Sequence, residues 1–405
     1  MKGTVFYPEI KLSFGVSRCL NIFLLLLLFA VFAVLAPTAH AATYTVTNLN
    51  NAGVGSLRQA VIDANAAAGA DIINFSISGT ITLVSSLPDI TDAAGLTIDG
   101  TGHTVTISGN NSVRVTAVSV GTSLTLNNLT IANGSAVTGG GIYNYGSLTV
   151  TNSTFSGNSA EEDGGGILNN NINASLTMLT ITNSTFSGNS AGEEGGGGIS
   201  NNNGTVTITN STFSGNSADN GEGGGNGGGI ANADTVTVVN STFSGNSAGG
   251  LGGGIYTLSG TVTISNTIIA NSASGGNCSG TITNGGNNID DFTTCGWGST
   301  NGSMSGTDPL LGPLASNGGP TQTMALLTGS PAIDGVTFSS PNGAPATDQR
   351  GVSRPQISGF DIGAYEYQAA SVSVPTMNEW GLIIFMILAG LGAIYFIRRQ
   401  KRVES

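Results

Sequence analysis

Short runs of alternating apolar and polar residues recur along most of the chain, among them Leu148-Thr149-Val150, Val206-Thr207-Ile208, Val236-Thr237-Val238 and Val262-Thr263-Ile264. Period-two alternation of β-branched residues bounded by Gly and Asn predicts strands. Four of these runs lead into the phrase Asn-Ser-Thr-Phe-Ser-Gly-Asn-Ser-Ala, at 152–160, 183–191, 210–218 and 240–248. The phrase alternates with Gly-Gly-Gly-Ile, ending at Ile142, Ile167, Ile199, Ile230 and Ile255. Its phenylalanines, Phe155, Phe186, Phe213 and Phe243, lie 31, 27 and 30 residues apart, and degenerate copies flank them at 129–133 and 267–271. Self-similarity at such a period means stacked repeats. No period holds a ten-residue helical pattern, so helical repeats fit poorly. Three short strands joined by turns would fill one 25–31-residue coil of a parallel β-helix. Phe213, Ile208 and Ile230 are then expected to point inward and stack on their equivalents. Asn158, Asn189, Asn216 and Asn246 are expected at turns, where Asn tolerates the left-handed conformation and stacked amides can bond along the axis. The glycine triplets suit tight bends or close backbone approach.

The flanks read differently. Lys2, Lys11 and Arg18 precede an apolar run from Leu20 to Leu35 and then Ala39-His40-Ala41, a secretory leader with cleavage after Ala41. Thr43–Val46 reads as a first strand. Apolar residues at 57, 60, 61 and 64 make one helical face behind Ser56 as N-cap, and a helix here would cover the open end of the solenoid. Further strand-like runs cover 72–77, 80–84, 96–98, 104–107 and 113–120. At the other end, 18 apolar residues from Trp380 to Ile397 meet Arg398-Arg399-Gln400-Lys401-Arg402. Such a helix is about 27 Å long, enough to span the hydrocarbon core, and its cations would stay cytoplasmic. The expected organisation is a leader (1–41), a parallel β-helix (42–300) and a C-terminal cap region (301–370). A linker with a sorting motif (371–379), a transmembrane helix (380–397) and a basic cytoplasmic tail (398–405) complete the chain.

Charge narrows the function. Seven of the eleven Lys and Arg lie in the leader or tail, and three of the 23 acids lie outside 42–373, leaving four arginines and no lysine against twenty acids. A net charge near −16 excludes nucleic acid or an anionic membrane as the main partner. Cys278 and Cys295, an even pair in an exported segment, predict a disulfide. A lyase acting on acidic polysaccharides would need a basic group and cations, yet Arg114 is the only arginine within the coils. A glycosidase needs two carboxyls about 5–10 Å apart, and the acids here sit in Gly-rich turns. His103, in Gly100-Thr101-Gly102-His103, is the histidine any Ser-His-Asp triad would have to use, and it reads as a turn residue, as does Asp99. Asp348, Arg350, Asp361 and Glu366 read as a structural set in which Arg350 pairs with a carboxylate while Tyr365 packs. Between phrase and triplet, three successive coils carry Glu161-Glu162-Asp163, Glu193-Glu194, and Asp219 with Glu222. Solvated turns that splay apart are the milder account of these acids; the sharper one is a weak Ca²⁺ site.

Ser56-Leu57-Arg58-Gln59-Ala60, the Phe-Ser-Gly-Asn and Gly-Gly-Gly-Ile repeats and the ending Asp361-Ile362-Gly363-Ala364-Tyr365-Glu366 resemble the choice-of-anchor β-helix proteins of bacterial surfaces. The repeats also resemble those of the chlamydial polymorphic outer membrane proteins. Val374-Pro375-Thr376-Met377-Asn378-Glu379-Trp380-Gly381, with the helix and arginines, is similar to an IPTL-type C-terminal sorting signal, with Val for Ile and Met for Leu as departures. The resemblance implies a right-handed β-helix, export, and surface anchoring by a Gram-negative bacterium through sorting machinery, and it implies no chemistry. The expected protein is therefore an all-β, exported, surface-anchored solenoid that is structural, adhesive or ligand-displaying, with a glycan or matrix ligand and no cofactor unless Ca²⁺. The alternative is a carbohydrate-active β-helix enzyme, which paired carboxylates on neighbouring coils in one groove would favour.

Overall fold

A computed structural model describes residues 3, 40–170, 177–219, 221–337, 343–369 and 377–403. Nearly all of the leader, and Val374, Pro375 and Thr376 of the sorting motif, lie outside them. The chain between is an all-β parallel solenoid in which each strand pairs with its equivalents one coil before and after. One coil runs Ser147–Thr151, Thr154–Ser156, Ser159–Ala160 and Ile167–Asn169. We number these faces 1 to 4; they hold ten, ten, five and seven strands. Three strands per coil were expected. The extra one, face 3, is a Ser-Ala dipeptide too short to show a period. The solenoid closes on Met304–Ser305, beyond residue 300.

Alternation sets the core. On face 1, Val206 and Ile208 point inward with their equivalents, all buried from Leu96 to Ile264. On face 2 the four phenylalanines stack with centroids 4.8, 4.8 and 4.5 Å apart and rings within 5–7° of parallel. On face 4, Ile142, Ile167, Ile199, Ile230 and Ile255 are fully buried.

The two asparagines of the phrase divide the work expected of one. The left-handed turn between faces 1 and 2 falls to the first, with φ of 50° at Asn152, 52° at Asn183, 47° at Asn210 and 45° at Asn240. The second is buried. Asn158 Nδ2 donates to Asn189 Oδ1, Asn189 to Asn216 and Asn216 to Asn246, each at 2.9 Å. The same Oδ1 atoms accept the preceding coil's backbone N–H, and each Nδ2 also reaches a carbonyl of the preceding coil. Face 4 carries a second ladder, Asn144 to Asn169 to Asn201 to Asn232, at 2.7, 2.8 and 2.8 Å. The last two glycines of each triplet are needed for close approach. A Cβ on Gly198 would lie 2.5 Å from Gly229 O and 3.1 Å from the Phe213 ring.

Helix α1 (Leu57–Ala66) begins at Ser56, whose hydroxyl accepts from Gln59 N, and buries Leu57, Ala60, Val61 and Ala64. It packs against the strands Thr43–Val46 and Asp71–Phe75 of the first coils, as its sequence predicts.

The C-terminal region does not cap the other end. After Asp308 the chain folds back along the outside of face 2 as a strap. It carries an antiparallel pair, Leu311–Ala315 with Thr323–Leu326. Thr321 bonds Asn183 O, Gln349 bonds Thr185 and Thr212, Ala364 N bonds Thr242 Oγ1, and Thr337 N bonds Asn287 Oδ1. With Gly363 N bonding Asn266 O, five coils are tied to one segment. The rank of outward threonines on face 2 explains the placement, because it offers hydroxyls where an end coil would offer strand edges. Helix α2 (Met377–Val403) is longer at both ends than the 18-residue apolar run, and none of the side chains in its apolar span is buried.

The ladder predicts an asymmetry between the two asparagines. Asn189→Ala should cost about 3 kcal/mol or more, because it strands buried partners on two coils. Asn152→Gly, which keeps the left-handed turn, should cost under about 1 kcal/mol. Denaturant unfolding of the two variants against the parent measures both.

Candidate functional site

The acids sit in the loop between faces 3 and 4, where successive coils differ in length. Glu161 N and Glu162 N donate to Ala136 O and Val137 O, so the backbone keeps step to that point. Asp163 then bridges Gly195. The later coil fits Gly192, Glu193 and Glu194 between its Ala191 and that bridge, where the earlier one fits only Glu161 and Glu162. The extra residue brings Glu194 beside Asp163.

Asp163 is the one buried member of the set. Its carboxyl accepts from Asn202 Nδ2 at 3.0 Å, with Ser200 Oγ 3.5 Å away. Burial raises its pKa to about 6. The Asn202 bond opposes that rise, while the Glu194 charge and the hydrogen bond the two carboxyls share add to it. Asp163, Glu193, Glu194, Asn202 and Tyr256 line a cleft of about 420 Å³ over face 4. A second hollow of about 540 Å³ lies over face 3, lined by Glu161, Glu162, Glu193 and Asp219. Asp219 is occupied in part by Gly221 N, at 2.8 Å. Glu222 is exposed and lines neither hollow. Six of the seven acids therefore line two hollows, Glu193 lining both, and among the described residues no three of His, Cys, Asp or Glu form a metal-holding group.

His103 lines a third hollow, about 340 Å³, beside the tip of the strap at Pro320. Its Nδ1 is 3.5 Å from Ser78 Oγ, too long for a sound bond. Asp99 is turned away, accepting from Thr101 N, Thr101 Oγ1 and Asn127 Nδ2 at 2.9, 2.6 and 3.0 Å. The three groups thus do not form a relay.

The charged set of the strap is structural, as its sequence suggests. Arg350 pairs with Asp348 at 2.7 Å and lies 3.6 Å over the Tyr365 ring. The sequence reading missed Arg354, which is buried, pairs with Glu366 at 3.0 Å, and donates to Asp361 O and Gly363 O. Burial pushes Arg354 down and Glu366 up, and the attraction between them opposes both shifts. Burial also raises Asp361 to about 6 against the N–H donors of Tyr367 and Asp334. Cys278 and Cys295 are joined by a disulfide, with Cα atoms 4.8 Å apart. Asn202, Ser200 and Tyr256 escaped notice because they join Asp163 only through coil stacking, at positions the repeat does not mark.

Fold and side chains together define a parallel β-helix with an acidic corner. No family model matches the chain, and no curated protein matches it. Among solved structures it is similar to jun a 1, the major allergen from cedar pollen, at 17% identity over 56% of this chain and 66% of that one, with a TM-score of 0.30.

Asp163 and Asp361 set a pH dependence. Each rises from an ordinary 3.8 to about 6, so the folded state holds a proton that the unfolded state releases. That contribution is full below about pH 4 and is lost as pH rises through 6. Stability should fall between pH 4.5 and 7, and Asp163→Asn should reduce the fall by on the order of 2 kcal/mol. Chemical unfolding across that range checks it.

Proposed function

We propose that this chain is an exported, envelope-anchored β-helix whose work is display, adhesion or surface structure, without catalysis. The observation that carries the reading is the union of a long solenoid with a separate helix, Trp380–Arg402, long and apolar enough to cross a membrane and ending in cations. Cations flanking a span stay cytoplasmic, which would set the solenoid outside. The motif at 374–381 would be read by sorting machinery, and cleavage after Ala41 would release the leader. A neutral glycan or matrix ligand suits the acidic, lysine-free exterior better than a nucleic acid. A glycan and matrix binding screen with residues 42–369 tests the display reading; binding to none of the panel would leave surface structure alone.

A second reading, a carbohydrate-active enzyme, draws on Asp163 and Glu194, paired carboxyls on neighbouring coils in one cleft. Their closeness counts against it. Glycosidase carboxyls stand about 5–10 Å apart with the scissile bond between them, whereas these two share a hydrogen bond. Release of reducing ends from any polysaccharide, lost in Asp163→Asn, would instate the enzyme.

The anchor predicts that deleting 375–405 moves the protein from the membrane fraction to the soluble one, read by fractionation and immunoblot. The acids support a weak Ca²⁺ proposal, since hard cations take carboxylates in loose geometry at about 10⁻⁴–10⁻³ M. Millimolar Ca²⁺ should then raise the melting temperature. A variant with Glu161, Glu162, Glu193 and Glu194 changed to Gln should lose that response.

A further inference from the structure

Face 1 carries a surface that none of this uses. The middle residue of each strand points outward, and from Thr97 to Thr283 that residue is threonine on eight consecutive coils, paired in register throughout. Partial ranks flank it, Thr205, Thr235 and Thr261 on one side and Thr151, Thr182 and Thr209 on the other. From Ser123 to Asn284 these strands contain no charged and no aromatic residue, on a chain of net charge −12.

Face 2 provides an internal comparison. It too has an outward threonine rank, and there the strap binds the hydroxyls of Thr185, Thr212 and Thr242. Among the described residues, none of the eight central hydroxyls of face 1 bonds another group. Similar ranks therefore stand side by side, one bonded to the strap and the other free.

We propose that face 1 binds the surface of ice. The lattice argument is short. Two O–H···O bonds of about 2.75 Å meeting at a tetrahedral water span about 4.5 Å. Strands in a sheet stand about 4.7–4.9 Å apart, so waters held one per threonine repeat within a few tenths of an ångström of that distance. Along a strand the ranks stand about 6.6–6.8 Å apart, which makes the pattern two-dimensional. Threonine is stiff at χ1, so hydroxyl and methyl positions are set before binding, and little ordering entropy is lost. Other occupants lack their usual contacts. From Ser123 to Asn284 its strands offer no aromatic platform for sugar rings, no carboxylate for cations, and no lysine or arginine for phosphate or sulfate.

The test uses the full chain in detergent, with detergent alone as blank. It measures partition into a slowly growing ice hemisphere and inhibition of ice recrystallisation. Wild type should enter the ice and slow recrystallisation at micromolar concentration. T180Y/T207Y, which raises two rings from the flat rank, should lose at least tenfold in both. T130Y, on face 2, should behave as wild type. Should the double variant fail to fold by circular dichroism, T207K, which places a charge in the rank, replaces it. Exclusion of the wild type from ice overturns the proposal, and so does equal activity of wild type and the face 1 variants. A dimer in sedimentation that T180Y/T207Y abolishes, without ice partition, would assign the face to a second copy of the chain. Retention on crystalline cellulose or chitin without ice partition would assign it to a polysaccharide.

Discussion

An inward-facing asparagine brings an amide into a core otherwise built of isoleucine, valine, leucine and phenylalanine, and burying an amide unpaired costs more than a satisfied bond returns. A parallel coil has one economical answer, which is to place the same amide at the same point one coil away. Asn158, Asn189, Asn216 and Asn246 do this, and Asn144, Asn169, Asn201 and Asn232 repeat it at the opposite corner. Once the ladders exist, register is no longer free. A one-residue slip would break each amide chain and also turn the phenylalanines outward. The phrase is therefore held nearly verbatim across four coils, and length variation is expelled elsewhere. It collects between the strands, from Asn169 to Met178, at 192–195 and from Ala218 to Ile230, between ladder positions.

The face 3–face 4 corner inherits that variation, and its chemistry follows. Glu194 meets Asp163 because one coil carries an extra residue there. Burial then raises the pKa of Asp163 to about 6. The repeat supplies rigidity and the irregular corner supplies ionisable groups. The flat faces supply long ranks of one side chain.

Much of this architecture was legible in the chain. The alternating runs gave the face 1 strands to within a residue or two, and the spacing of 57, 60, 61 and 64 gave the buried side of α1. Other features were hidden for physical reasons. A two-residue strand such as Ser159–Ala160 has no period to detect. Asn152 and Asn158 have the same side chain, and only the backbone angle separates turn from ladder. Residues 301–370 read as a cap because they follow the last repeat, but order along the chain does not say which surface a segment covers. Thr185 and Gln349 lie 164 residues apart and meet only in three dimensions. Arg354, buried beside Glu366, reads in the sequence as one more surface arginine.

The strap changes how the molecule would carry load. In a bare solenoid each coil holds only its neighbours, so a pull on one end can unwind coils one at a time. Here the segment leading to α2 leaves from the strap, which is fastened to coils from Asn183 to Asn287 by hydrogen bonds spread along the flank. Tension arriving from a membrane anchor would meet those fastenings before it reached the last coil, and would be shared among several coils. A fibre spliced along its length holds better than one tied at its tip.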